Sequence, residues 1–121
     1  RQVGDKYYLF RDQSPWFEAV GDHVLTCDGH CSYSPDPGRR YILTDTYPDA
    51  RSRRTLILFD TQSGQRADLG RWLSPRRYSG EIRCDLHPRW SRDGRQVCFD
   101  SLHEGDRQLY VIDIADLVEF P

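Results

Sequence analysis

The sequence predicts an all-β protein made of repeated antiparallel sheets. Three observations carry this. Apolar residues fall in short β-branched or aromatic runs closed by Gly, Pro or Asp. No segment sustains a helical period, apart from a short terminal turn or helix within Ile112 to Phe120. The chain also repeats itself at a spacing of 53 to 57 residues.

The elements follow in order. Tyr7-Tyr8-Leu9-Phe10 predicts a strand, closed by Arg11-Asp12-Gln13-Ser14-Pro15. Trp16 to Val20 predicts a second, ended by Gly21-Asp22, and His23 to Thr26 a third. Tyr41 to Thr46 and Thr55 to Asp60 are two more. Thr61 to Gln65 is a tight turn, with Gly64 free to take a positive φ. Glu81 to His87 alternates, which as a strand puts Ile82, Cys84 and Leu86 on one side. Glu81, Arg83, Asp85 and His87 then form a polar row on the other.

Composition sets limits on function. The 121 residues suit one domain, and 37% hydrophobic with 12% aromatic content is enough to seed a core. No apolar run of membrane-spanning length occurs, so no membrane association is expected. A net charge of -2 argues against a nucleic-acid footprint. The chain contains no Asn, which excludes N-glycosylation, and Lys6 is its only lysine, a composition bias rather than a functional signal. It contains no Met, even at position 1, so it reads as a piece of something longer. No signal peptide opens it, and a cytoplasmic location is expected. Cys27, Cys31, Cys84 and Cys98 permit two disulfides, but free buried thiols in a reducing compartment are the favoured reading.

The repeat is specific. His30-Cys31-Ser32-Tyr33-Ser34-Pro35-Asp36 matches His87-Pro88-Arg89-Trp90-Ser91-Arg92-Asp93 at an offset of 57. Leu43 to Thr46 matches Cys98 to Ser101 at 55, and Arg54 to Asp60 matches Arg107 to Asp113 at 53. Each unit reads His, aromatic-Ser-x-Asp turn, strand ending in Asp, loop, strand ending in Asp. The aromatic is expected to pack between sheets and the Asp to accept the N–H groups of its turn. The residues before His30 read as the last two strands of a further unit.

Trp90-Ser91-Arg92-Asp93-Gly94, with the strand after it, resembles the repeat of TolB-type β-propellers. The resemblance covers both units. It implies blades of four-stranded antiparallel sheets, with residues 1–29 ending one blade and 30–86 and 87–121 forming two more. A propeller closes with about 4–8 blades. About two and a half blades are therefore part of a larger propeller, whose remainder, or another copy, would cover the sheet edges.

His30-Cys31 and Asp85-Leu86-His87-Pro88 further resemble blade openings of the oligogalacturonate lyase family. That resemblance implies a divalent metal, usually Mn²⁺, and β-elimination on uronate oligosaccharides. It places His30 and His87 at metal-ligand positions and Asp85 where the family has another His. The family's Gln ligand falls on Ile82, which cannot bind a metal. The family's base would lie outside this chain.

Residue chemistry leaves alternatives open. Repeat-equivalent histidines on neighbouring blades would meet near the propeller axis and suit Mn²⁺, Fe²⁺ or Zn²⁺; equally, a blade-opening His can simply hydrogen-bond a neighbouring strand. Arg83 and Arg89 flank His87 and suit a bidentate clamp on a uronate carboxylate, or pairing with Glu81 or Asp85. His103 beside Glu104 suits a general base or a solvated loop pair. Tyr47 and the aspartates of Asp45-Thr46-Tyr47-Pro48-Asp49 suit sugar hydroxyls or, the favoured reading, turn capping. Trp72 and Tyr78, in a Pro- and Arg-rich loop, suit stacking on a sugar. Arg51, Arg53, Arg54, Arg76 and Arg77 read mostly as solvated loop charges. A zinc cluster drawn from His23, Cys27, His30 and Cys31 lacks the usual spacing. The alternative to a lyase is a non-catalytic TolB-like module that binds protein or carbohydrate.

Overall fold

In the computed structural model, which describes residues 4–120, the chain is all-β, and every strand pair is antiparallel. Strands β1 (Tyr7–Phe10) and β2 (Phe17–Val20) form a two-stranded sheet. Strands β3 (Ser32–Tyr33), β4 (Tyr41–Asp45), β5 (Arg53–Asp60) and β6 (Arg66–Leu73) form a four-stranded meander. Strands β7 (Arg89–Trp90), β8 (Gln96–Ser101) and β9 (Gln108–Asp113) form a three-stranded meander. The irregular elements include 3-10 turns at Gly80–Ile82 and Ala115–Leu117, the latter inside the segment expected to end in a short turn. Among the described residues no helix is long and apolar enough to cross a membrane.

The central sheet is covered on both faces, and its sequence shows it. Successive side chains of a strand point to opposite faces. Tyr41, Leu43, Leu56 and Leu58 face the third sheet and join Leu86, Val97, Phe99 and Ile114 in one core. Ile42, Ile57 and Phe59 face the first sheet and join Leu25 in another. Leu43 and Leu56 are fully buried. Full burial of such a side chain is worth about 1.5–3 kcal/mol. This is why β4 and β5 read as unbroken apolar runs rather than alternating ones.

The repeated Ser-x-Asp turns are built alike. The Ser34 N–H donates to the Tyr41 carbonyl at 2.8 Å, and the Tyr41 N–H returns to Ser34 Oγ at 3.0 Å. The Ser34 hydroxyl donates to Asp36. In the next unit the Ser91 N–H donates to Gln96 O at 2.9 Å, the Gln96 N–H to Ser91 Oγ at 3.0 Å, and the Ser91 hydroxyl to Asp93 at 2.7 Å. The Arg95 N–H and the Ser91 hydroxyl hold Asp93 below the usual carboxylate range. Tyr33 packs toward the first sheet and Trp90 toward the second, so each aromatic faces the sheet before its own. Trp90 Nε1 also reaches Ser32 O at 3.4 Å.

Two expectations of local structure are corrected, and one strand is added. His23 to Thr26 is not a strand: Val24 and Leu25 both donate to Gly21 O, and His23 takes φ +66°. Glu81 to His87 is not a strand either. It begins in the 3-10 turn and continues irregularly, with Ile82 64% exposed while Cys84 and Leu86 are buried. Strand β6 is a polar edge strand that the sequence reading passed over. The four cysteines are free, but only Cys84 is buried, and burial pushes its thiol up; Cys27 and Cys31 are exposed.

Candidate functional site

Each histidine that opens a repeat sits where the chain enters a sheet. His30 precedes β3 and His87 precedes β7. Their rings lie side by side, with centroids 4.8 Å apart and planes tilted by 41°.

Asp45, the last residue of β4, stands beneath both. Its side chain is 2% exposed. The His30 N–H donates to Oδ1 at 2.6 Å, and the His87 N–H donates to Oδ2 at 3.1 Å. His30 Nδ1 lies 3.2 Å from each oxygen. One carboxylate thus joins the first residues of two successive units. The close approach needs Gly29, because a Cβ there would lie 1.8 Å from Asp45 O. His87 itself takes φ +45°.

A cavity of about 450 Å³ is lined by Tyr47, Tyr78, Asp49, Arg54, Arg76 and Arg83; neither histidine lines it, and Tyr47 is the residue that connects it to the pair. The Tyr47 ring lies 6.3 Å from that of His30, and the Arg83 guanidinium lies over Tyr47 at 6.0 Å. Arg54, read from sequence as a loop charge, is only 4% exposed. Its Nη1 lies 2.7 Å from Asp85 Oδ1, a close ion pair without hydrogen-bond alignment, and its Nε donates to Ser74 Oγ at 3.0 Å. Arg83 Nε approaches the other oxygen of Asp85 at 3.3 Å. Three arginines and Asp49 thus line the cavity, with Arg54 and Arg83 both paired to Asp85. A second cavity, about 620 Å³, lies between the first hairpin and the β3–β4 turn. Leu9, Val20, Tyr33 and Phe59 line it together with Glu18, Asp22 and Arg39, and none of the candidate residues named from the sequence does.

No protein-family model and no curated protein matches this chain.

The remaining candidate residues lie in other settings. The Arg89 guanidinium binds Asp100 at 3.3 Å and His87 O at 2.8 Å, and Asp100 pushes its pKa up. His103 Nδ1 lies 2.7 Å from Ser101 Oγ, and its ring packs against Tyr110 at 4.6 Å and Trp72 at 6.2 Å. Glu104 accepts from the Tyr110 hydroxyl at 2.6 Å and lies 3.6 Å from His103 Nε2. Trp72, expected in a loop, instead lies in β6 and packs against Phe99 at 4.3 Å beside the core, because the edge strand extends to Leu73. Tyr78 packs beneath Arg77 at 4.9 Å and donates to Gly105 O at 3.4 Å. Asp49 caps its own turn, with Oδ1 accepting the Arg51 and Arg53 N–H groups, both at 2.9 Å.

His30 has Nδ1 on Asp45, which leaves Nε2, and the His87 ring makes no hydrogen bond among the described residues. As donor types two imidazoles suit a divalent cation, and their ring centroids lie 4.8 Å apart. Asp85 does not suit one, because Arg54 and Arg83 hold both of its oxygens. Among the described residues no group of three His, Cys, Asp or Glu side chains is placed to hold an ion. Two residues were missed by sequence reasoning, Asp45 as the shared acceptor and Arg54 as a buried cation. Each has a repeat partner, Asp100 and Arg107, which marks the position as repeated but not the role.

Proposed function

We propose that this chain is a section of a TolB-type β-propeller whose histidine, arginine and tyrosine site binds uronate oligosaccharides, as in an oligogalacturonate lyase. The observation that carries the reading is the convergence of two repeat-equivalent imidazoles, with Tyr47 linking them to a cavity walled by three arginines and two tyrosines. The successive meanders support the blade architecture. The outer edge of β9, where β5 has β6 as a neighbour, is open for the remainder of the propeller or another copy. So is the outer face of the first hairpin, where Tyr8, Phe10 and Phe17 are 49%, 67% and 57% exposed.

The chemistry follows from charge. A uronate carboxylate placed at Arg83 loses charge to the guanidinium, which acidifies the adjacent C5 proton. Removal of that proton by a base, with departure of the glycosidic oxygen, gives a 4,5-unsaturated sugar. His30 and His87 would hold a divalent cation, Mn²⁺ on the resemblance, which when bound supplies further neutralisation of that carboxylate. Its other ligands would come from outside this chain. Tyr47 and Tyr78 offer ring faces and hydroxyls to the sugar.

The test is calorimetric titration with trigalacturonate and with uncharged maltotriose. Preferential binding of the acidic sugar is expected, weakened about tenfold in Arg83→Ala, the loss of one charge-assisted contact. Equal binding of both sugars, or of neither, overturns the reading. A second reading, a non-catalytic binding module, is favoured by the commitment of Asp85 to Arg54. It predicts binding without the ultraviolet-absorbing unsaturated product.

A further inference from the structure

We infer that Asp45 is the positioning residue of the histidine pair, and that it fixes His30 as the Nδ1–H tautomer with the Nε2 lone pair as its binding atom. Two independent features point there.

The first is the direction of every contact the carboxylate makes. Two of its partners, the His30 and His87 N–H groups, can only donate, and each takes a different oxygen. A carboxylate so placed is an acceptor for whatever else meets it. His30 Nδ1, equidistant from both oxygens at 3.2 Å, therefore carries a proton toward them. In a neutral imidazole the lone pair then resides on Nε2. The His30 ring is 36% exposed, so it is accessible to a ligand.

The second is that Asp45 belongs to neither histidine's strand. It ends β4, paired with Leu56 of β5 in the middle of the molecule. The groups around it are the Tyr7 hydroxyl, which bonds Thr44 at 2.7 Å, the Thr44 hydroxyl, and the two histidines. Its position is set by the central sheet, and it passes that position to both rings: to His30 through ring and backbone, to His87 through backbone alone. The two histidines are thus asymmetric despite their repeat equivalence. At Asp100, the repeat counterpart of Asp45, the carboxylate faces Arg89 and Arg107 instead of an imidazole. His87 consequently lacks the tautomer lock that His30 has.

The inference deepens the proposed site but is tested without any sugar or metal. Long-range proton–nitrogen NMR of the ¹⁵N-labelled 121-residue chain, recorded where both imidazoles are neutral, reads the tautomer of each ring directly. His30→Gln and His87→Gln provide the assignments. The expected result is His30 as Nδ1–H, and His87 as a mixture or as the Nε2–H form. In Asp45→Asn, whose amide presents a donor to one partner, the His30 signal is expected to shift away from the pure Nδ1–H form and the His87 ring resonances to move with it. Finding His30 as Nε2–H in the wild-type chain overturns the inference. So does a folded Asp45→Asn chain in which both rings keep their wild-type signals. Should Asp45→Asn fail to fold, the wild-type tautomers decide the matter alone. Sugar binding lost while the tautomer holds would reject the uronate reading and leave this one standing.

Discussion

Arg54 and Asp85 form an ion pair, Nη1 to Oδ1 at 2.7 Å, that ties the central sheet to the segment leading into the third. With Arg54 4% and Asp85 13% exposed, little solvent screens it. Removing Arg54 leaves Asp85 with only the half-exposed Arg83 at 3.3 Å, and loss of a buried partner costs up to about 3–5 kcal/mol. Arg54→Met is expected to lower urea-unfolding stability by that order, and Arg54→Met with Asp85→Leu by clearly less. A double variant as unstable as the single would show that the pair itself is not the cause.

Gly29 and Gly64 give a matched comparison of two reasons for glycine. At Gly64 a Cβ meets nothing within 4 Å but φ is +72°, so alanine costs only the left-handed strain, about 1–2 kcal/mol. At Gly29 a Cβ would sit 1.8 Å from Asp45 O, and that backbone cannot give way without moving both histidines. Gly29→Ala is expected to cost about 3 kcal/mol, the upper end of overpacking penalties. It should also perturb the His30 and His87 NMR signals, whereas Gly64→Ala leaves them in place.

Acid stability should depend on Arg40. Its guanidinium makes two hydrogen bonds to Asp60, at 3.1 and 2.9 Å, and holds that carboxyl at about 2. An unfolded Asp ionises near about 3.9. The folded state therefore gains from Asp60 ionisation fully above pH 4 and loses that gain as pH falls toward 2. Urea midpoints of wild type and Arg40→Met should differ at pH 5 and converge near pH 2. A gap that stays constant across this range would rule out the pair as the source.

Tyr110 offers a spectroscopic check on the loop after β8. Its hydroxyl donates to Glu104 at 2.6 Å, and this bond pushes the phenol up to about 12. In Glu104→Gln the charge that opposes ionisation is gone, and the Tyr110 ring-carbon titration should move back toward about 10. No movement would mean that the pair does not persist in solution.

The fold was legible where burial dominates. β4 and β5 have both faces covered, so their residues are apolar throughout and easily seen. β6 was missed because an edge strand takes its order from the backbone of β5. Arg66, Asp68 and Arg71 bond one another on its surface and leave little apolar pattern. The alternation in Glu81 to His87 correctly marked Cys84 and Leu86 as inward, but two buried residues and one bond, Asp100 N–H to Leu86 O, do not make a strand. At the site, the pairing of His30 with His87 could be read from the repeat alone. The role of Asp45 could not, because its partner His87 lies 42 residues away and only the packed sheets bring them together.

The junction between the second and third sheets is pinned at both ends. Ser74 N–H on Ser52 O at 2.6 Å fixes where the chain leaves β6, and Asp45 fixes where it arrives at His87. Between these pins Arg76, Tyr78 and Arg83 form one wall of the cavity, and the regular structure there is a single 3-10 turn. Residues inserted near Arg77 would alter the reach and chemistry of that wall without rotating one sheet against the next. The molecule thus separates a part that can diversify from a part that cannot: the cavity wall can drift in the span while the imidazoles keep their spacing.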